Sequence, residues 1–255
     1  MLLTIDAGNT NIVFAVYHGE KQVCAWRMHT NSGRTADEYV ALLSPLMVRY
    51  GIDESDIKDV LISSVVPAVN SPLMDLCDKA YKVKPIFVTS DLLKDKININ
   101  LDKPEDVGAD RLVNALAVCA YYQTPAVVVD FGTATTFDVV GENNTYEGGV
   151  ISPGINLSIE ALHRAAAKLP MIAIEKPERA IGKNTKEAMQ SGIYWGYVGL
   201  IEGILKRIEI EMGVKPYVIG TGGLAPLFAQ GTKVIDIIDQ DLTLKGLLEI
   251  YNGKK

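Results

Sequence analysis

The sequence predicts an α/β protein assembled from two related lobes, and three observations carry that prediction. Strand-like apolar runs alternate along the chain with segments of helical periodicity, the pattern of a layered α/β protein. A short apolar strand runs into an Asp-x-Gly turn twice, as Ile5-Asp6-Ala7-Gly8-Asn9-Thr10 and as Val129-Asp130-Phe131-Gly132-Thr133-Ala134. Each copy leads into a β-rich stretch, a short turn and another strand. Asp130 follows Asp6 by 124 positions, far beyond the roughly 20–50 residues of a solenoid repeat, so the repeat reads as a duplicated lobe.

The elements follow in order. Leu2–Asp6, Asn11–Tyr17 and Val23–His29 read as strands, the last two joined through His18-Gly19-Glu20. Thr35–Tyr50 places Ala36, Tyr39, Val40, Leu43 and Met47 at helical spacing, with Gly51 just past the end. A strand at Asp59–Ser63, a helix over Ala68–Tyr81 and a strand at Pro85–Val88 come next, and Asp91–Pro104 reads as a connector. Glu105–Tyr122 reads as one long helix. Two domains are expected: an N-terminal lobe over 1–104, and a C-terminal lobe over 105–255 that opens with the connecting helix at about 105–122. In the second lobe, strands are expected at Ala126–Asp130, Thr135–Val140, Thr145–Ile151, Lys215–Ile219 and Val234–Asp236. Helices are expected at Asn156–Lys168, Lys186–Met212, Ala225–Ala229 and Leu242–Tyr251.

Bulk properties exclude several function classes. A net charge of −6 with no basic block argues against a general nucleic-acid surface, which needs clustered Lys and Arg. An acidic chain still binds nucleotides where backbone N–H groups and a metal ion supply the positive field. Cys24, Cys77 and Cys119 lie far apart in no metal-binding or redox spacing, as expected of reduced thiols. The early Asp6 interrupts any leader, and no apolar run reaches the ~18 residues of a membrane span. A soluble, cytoplasmic protein with no membrane partner is expected.

Several motifs carry chemistry. The Asp6–Thr10 turn, with Gly8 and small neighbours, lets backbone N–H groups approach a phosphate, while Asp6 would act through Mg²⁺ or its hydration shell. As a lone motif it reads first as a hairpin turn; its repetition at Asp130-Phe131-Gly132-Thr133-Ala134-Thr135-Thr136 favours a polyphosphate gripped from both lobes. Gly148-Gly149-Val150-Ile151-Ser152-Pro153-Gly154 ends a strand and opens a helix, a natural anion site. Gly108-Ala109-Asp110-Arg111 lies within the expected helix at 105–122. A glycine there costs about 1 kcal/mol relative to Ala, so something needs the space. Adjacent Asp110 and Arg111 suit a general base beside an anion-binding cation. Val218-Ile219-Gly220-Thr221-Gly222-Gly223-Leu224-Ala225 matches a dinucleotide fingerprint, but too few residues follow it to build the remainder of such a domain. His18, His29 and His163 are scattered, so a zinc site is not expected. Trp26, Tyr194 and Trp195 read as core or interface residues.

Taken together, Asp6–Thr10, Gly108–Arg111, Asp130–Thr136 and Gly148-Gly149…Pro153-Gly154 resemble the signature set of type III pantothenate kinases, in an order and spacing that span nearly the whole chain. The resemblance implies a duplicated ribonuclease-H/actin-like two-lobed fold. It also implies transfer of the ATP γ-phosphoryl group to the primary hydroxyl of pantothenate, the first step of coenzyme A biosynthesis. By motif, Asp6, Ala7, Gly8, Asn9, Thr10, Asn11, Ile12, Val13 and Thr133 would bind ATP, with Asp6 on the Mg²⁺ side. Asp110 would be the catalytic base, and Gly108, Ala109, Asp110 and Arg111 would hold pantothenate. Asp130 would bind a monovalent cation, K⁺ or NH₄⁺. Thr185 matches a substrate-binding Thr contributed by the neighbouring subunit, which implies a homodimer. Leu101 stands at a substrate-binding position where many relatives carry Tyr, and it cannot donate a hydrogen bond. Two other readings remain open at this point: another small-molecule kinase of the same fold, and a non-catalytic nucleotide-binding regulatory protein.

Overall fold

The computed structural model describes residues 1–165 and 170–253. Contacts between Cα atoms gather the chain into two compact units. The first comprises Met1–Asn98, Asp102–Ala120 and the chain from Thr243 onward; the second comprises Ile99–Leu101 and Tyr121–Leu242. This grouping by contacts is a different partition from the sequence duplication, which divides the chain near residue 104.

In the first unit, β1 (Leu2–Ala7), β2 (Asn11–His18) and β3 (Lys21–His29) form an antiparallel meander. Helix α1 (Ala36–Arg49) then crosses to β4 (Asp59–Ser64), which pairs parallel to β1. Helix α2 (Pro67–Leu76), extended by a π-helical turn at Cys77–Tyr81, crosses to β5 (Ile86–Phe87). The sheet order is β3-β2-β1-β4-β5. Helix α1 starts where the sequence says it should: Thr35 and Glu38 form a reciprocal capping box that satisfies two otherwise orphaned N–H groups. Its apolar face, Tyr39, Leu43 and Met47, is buried with Leu3, Ile5, Ala7, Ile12, Phe14, Val60 and Ile62 from one face of the sheet.

The polar segment expected as a connector contains two short elements, α3 (Ser90–Leu93), capped by Thr89, and β6 (Asn98–Ile99). The helix expected over 105–122 is shorter. Pro104–Asp106 forms a 3₁₀ turn, Val107 is extended, and α4 runs over Ala109–Tyr121. Gly108 therefore stands at the start of the helix rather than inside it, its carbonyl accepting from the N–H groups of Arg111 (3.2 Å) and Leu112 (3.4 Å). The extended Val107 breaks a periodicity that sequence spacing alone carries straight through.

The second unit repeats the first. Strands β7 (Ala126–Phe131), β8 (Ala134–Gly141) and β9 (Thr145–Pro153) have 6, 8 and 9 residues, the same lengths as β1, β2 and β3. Even the irregularity recurs, with a register shift at Val16/Tyr17 in one meander and at Val139/Val140 in the other. Helices α5 (Ile155–Ala165) and α6 (Thr185–Met212) lead to β10 (Tyr217–Thr221), parallel to β7. Then α7 (Ala225–Ala229) leads to β11 (Ile237–Ile238). The order is β11-β10-β7-β8-β9-β6, so five strands reproduce the first sheet and β6 adds to its edge. The last strand lies just beyond the expected Val234–Asp236, because Asp236 instead caps Val218, accepting from its N–H at 2.8 Å. The end of the helix expected at Lys168 lies outside the described residues.

The final helix, α8 (Leu242–Asn252), returns to the first unit. Thr243 donates to Asn114 of α4 at 2.8 Å, Tyr251 donates to Asp59 at 2.7 Å, and a Cβ on Gly246 would fall 2.2 Å from the Val113 carbonyl. Only glycine permits that approach between α8 and α4.

Candidate active site

In the first unit the site is the end of two parallel strands. Asp6 and Ala7 close β1, and Gly8-Asn9-Thr10 turn the chain into β2, with the Gly8 N–H donating to Asn11 at 3.0 Å. The turn is braced from β3's end: Thr30 donates its hydroxyl to the Gly8 carbonyl (2.6 Å) and its N–H to the Thr10 carbonyl (2.9 Å). Asn9 and Thr10 are exposed, whereas Ile12 is buried in the core. Asn11 and Val13 are half-buried at the start of β2. Thus Asp6 through Thr10 present polar groups at the rim, and Ile12 holds the hairpin down.

Beside this turn, β4 ends at Ser63 and Ser64, in register with Asp6 and Ala7. The chain continues with the Val65 N–H donating to Ala7 at 3.1 Å. A Cβ on Gly108 would lie 3.8 Å from Val65, which brings the start of α4 to the same edge. The same Cβ would stand 2.6 Å from Asp110 Oδ1. The space that the sequence reserves at Gly108 is therefore occupied by the Asp110 carboxylate. Asp110 Oδ1 accepts the Arg111 N–H at 2.8 Å, which fixes the side chain over the first turn of α4. Asp110 and Arg111 are both half-buried. Asp6, Gly108, Ala109, Asp110 and Arg111 thus converge within one unit, although they are about a hundred positions apart in sequence.

In the second unit three glycine turns gather around Asp130. It closes β7 in register with Thr221 of β10. Gly222, at φ +86°, packs so closely that a Cβ would sit 2.7 Å from Asp130 Oδ1 and 2.8 Å from the Phe131 carbonyl. Gly154 presses on the exposed Gly132-Thr133 turn, where a Cβ would fall 2.1 Å from the Thr133 carbonyl oxygen. Helix α6 pins both strands of this corner: the Tyr197 hydroxyl bonds the buried Thr135 hydroxyl and donates to the Pro153 carbonyl at 3.3 Å. Beneath lies an aromatic stack in which Phe228 meets Phe131 (5.4 Å between centroids), Tyr194 (5.5 Å) and Tyr197 (5.0 Å). Burying a side chain such as Phe228 contributes about 1.5–3 kcal/mol, enough to hold the turns in place. Tyr194 is thus a core residue as expected, and Trp26 is partly buried against the core of the first unit.

The loop Gly220–Gly223, which resembles a dinucleotide fingerprint in sequence, belongs to this corner through Gly222 and not to the opening strand of a separate domain. Leu101 is half-buried against β9, its Cδ2 3.2 Å from where a Gly148 Cβ would stand. Thr185 is elsewhere. It is exposed at the first turn of α6, twelve residues and so about 18 Å along the helix from Tyr197. That end is tightly built: Asn184 caps the helix, and Glu187 accepts from the Lys183 N–H (2.9 Å), Asn184 (2.8 Å) and Arg179 (3.1 Å). The Lys183 N–H, chiefly, holds the Glu187 carboxyl below the usual range. Within this chain Thr185 is not brought to the Asp130 corner.

The donor set suits a magnesium nucleotide. Mg²⁺ ordinarily takes one or two carboxylates and fills its octahedron with phosphate oxygens and water. In the first unit Asp6 supplies such a carboxylate near the end of β1, beside the Gly8 turn. Among the described residues no group of three or more His, Cys, Asp or Glu could hold a metal by itself. No described helix is long and apolar enough to cross a membrane.

Comparison with known proteins agrees with this architecture. Among solved structures, a Campylobacter jejuni protein provisionally named a Baf family transcriptional activator superposes over 99% of this chain and 98% of its own, with a TM-score of 0.62 at 19% identity. A Sinorhizobium meliloti protein provisionally named a 2-dehydro-3-deoxygalactonokinase covers 99% and 96%, with a TM-score of 0.61 at 12% identity. These likenesses establish the fold, a duplicated ribonuclease-H/actin-like α/β architecture. In sequence, a type III pantothenate kinase of Paramagnetospirillum magneticum is 57% identical over 98% of this chain and 96% of its own length. That of Rhodospirillum rubrum is 54% identical over 98% of both. The family model for type III pantothenate kinase matches residues 2–207. The chain belongs to the type III pantothenate kinase family.

Proposed function

We propose that this protein transfers the γ-phosphoryl group of ATP to the primary hydroxyl of pantothenate, giving 4′-phosphopantothenate, the first step of coenzyme A biosynthesis. The observation that carries the reading is the convergence of Asp6 and Gly108–Arg111 at one strand edge, in a chain of this family. Gly108 leaves the space that lets Asp110 lie at the helix start. Asp110 orients the attacking hydroxyl and accepts its proton, and Arg111 neutralises the substrate carboxylate or the transferring group. Backbone N–H groups of the Gly8–Thr10 turn stabilise phosphate oxygens, with Asp6 toward the metal, and Thr133 is assigned to ATP by the resemblance. Mg²⁺ supplies charge neutralisation on the polyphosphate.

The finer assignments rest on the resemblance and on local geometry. Asp130, which with the Phe131 carbonyl packs against Gly222, would hold the monovalent cation, K⁺ or NH₄⁺. Thr185, exposed and remote from its own chain's Asp130 corner, would serve the pantothenate of a second subunit in a homodimer. Leu101 would replace a hydrogen bond to pantothenate with an apolar contact. ³¹P NMR of the protein with ATP, Mg²⁺ and a panel of acceptors (pantothenate, hexoses, small hydroxy acids) tests the reading. A phosphomonoester signal that forms with pantothenate alone is expected. A signal with a sugar and none with pantothenate would overturn the substrate.

A further inference from the structure

Buried hydroxyls are normally hydrogen-bonded, because an unpartnered one forfeits its hydration without return. Those near the Asp6 edge obey that rule, with one exception. Thr4, fully buried, donates to the Ala15 carbonyl at 3.3 Å. Ser64 donates to Asn70 at 2.6 Å and accepts the Val66 N–H at 3.2 Å. Ser63, between them in space and 0% exposed, has no hydrogen-bond partner for its Oγ.

The direction of that hydroxyl follows from the strand register. Leu3, Ile5 and Ala7 of β1, and Val60 and Ile62 of β4, all point into one hydrophobic core. Alternation then sends Asp6 and Ser63 to the opposite face. The two are register partners on adjacent parallel strands, so their side chains are neighbours, about 5 Å apart at the backbone. The start of α4 reaches the same edge two residues on, at Val65. A hydroxyl without a partner is thus aimed beside the carboxylate that faces the metal, at the strand ends where the transfer would occur.

Resting on the function proposed above, we infer that Ser63 is a positioning residue for phosphoryl transfer. Its hydroxyl donates to the Asp6 carboxylate when that carboxylate engages the magnesium nucleotide, and so sets its rotamer. Asp6 touches the metal side directly; Ser63 acts only through it. An alanine at 63 would fit the same space and remove a group that costs folding stability, which explains why packing alone gives no reason for a serine.

The test pairs stability with kinetics in Ser63→Ala and the hydroxyl-retaining Ser63→Thr, each in the full chain. For Ser63→Ala, a melting temperature equal to wild type or up to about 4 °C higher is expected without nucleotide. Its kcat/KM for Mg·ATP should fall about 10-fold, half-saturation in Mg²⁺ should shift upward, and KM for pantothenate should stay within about 2-fold. Ser63→Thr should recover most of the loss. Unchanged Mg·ATP kinetics in Ser63→Ala would overturn the inference, as would a lowered melting temperature, which would make the hydroxyl structural. Calorimetric titration with Mg·ATP separates this inference from the functional reading. If wild type binds Mg·ATP but does not turn over pantothenate, the substrate reading fails, while weakened Mg·ATP binding by Ser63→Ala still supports Ser63.

Discussion

Gly154→Ala should disable the Thr133 turn, and its effect can be sized from the backbone. The added Cβ would stand 2.1 Å from the Thr133 carbonyl oxygen, 2.8 Å from its carbonyl carbon and 2.9 Å from the Gly132 oxygen. All three are backbone atoms, so no side chain can swing aside. Ordinary contact begins at 3.4 Å, so the turn must retreat by 3.4 − 2.1 = 1.3 Å. Its neighbours resist: Tyr197 ties Thr135 to Pro153, and Gly222 packs on Asp130 and Phe131 from the other side. Overpacking of this kind costs about 1–3 kcal/mol. In a chain this long that lowers the melting temperature by roughly 2–12 °C. Displacing a positioning group by about 1 Å costs on the order of 100-fold in rate, so kcat/KM for ATP should fall by about that factor. Scanning calorimetry and steady-state kinetics at varied ATP measure the two effects. Gly33→Ala, whose nearest neighbour is the Asn31 side chain at 3.4 Å, is the control and should change neither. Wild-type melting and ATP kinetics in Gly154→Ala would refute the argument.

Other expectations follow from the same geometry. Asp110→Asn should abolish phosphoryl transfer, by at least about 100-fold in kcat, while sparing ATP binding in calorimetric titration; substantial residual turnover would exclude Asp110 as the base. Gly108→Ala should displace the Asp110 carboxylate, 2.6 Å from the new Cβ, lowering kcat by roughly 10–100-fold with ATP binding unchanged; wild-type kcat would show that Asp110 works from another position. Burial pushes the Cys77 thiol up to about 12 and the Cys119 thiol up to about 11. Both should react slowly with a disulfide reagent at pH 8 in native protein and readily after unfolding. Because these folded values lie above the unfolded thiol value of about 8.5, their contribution to stability is fully present below that pH. It should be lost as pH climbs toward 12, visible as a falling denaturant midpoint.

The duplication was legible in the sequence because it is written in residues that face opposite demands. A buried, mostly apolar run leads into an Asp at the same place in each first strand, and the three strands of each meander keep their lengths. Helix α1 was legible to within a residue at either end, since Ala36, Tyr39, Val40, Leu43 and Met47 keep helical spacing and Gly51 marks its end. The start of α4 was not, because Glu105, Leu112 and the residues between keep helical spacing while Val107 is extended by its surroundings. The two-residue β5 fell inside the expected Pro85–Val88, whereas β6 and β11, equally short, are set by pairing to a neighbour and leave no periodic trace. In the site, Asp6, Asp110 and Asp130 stood out through the glycines beside them. What those glycines accommodate could not be read: the Thr133 carbonyl at Gly154 and Asp130 itself at Gly222 are contacts between separated segments, and the Asp110 carboxylate lies against Gly108 only because the helix starts there. Ser63 was invisible for a related reason, since both its burial and its lack of a partner exist only once β1 and β4 are side by side.

Pantothenate phosphorylation would be measured by coupled ADP release from wild-type protein with ATP and Mg²⁺, with and without pantothenate, first in potassium and then in sodium alone. Turnover that requires pantothenate and rises with potassium is the predicted result, and it would support the substrate and the Asp130 cation site together. ADP release indifferent to pantothenate, from folded protein that binds ATP, would contradict the claim.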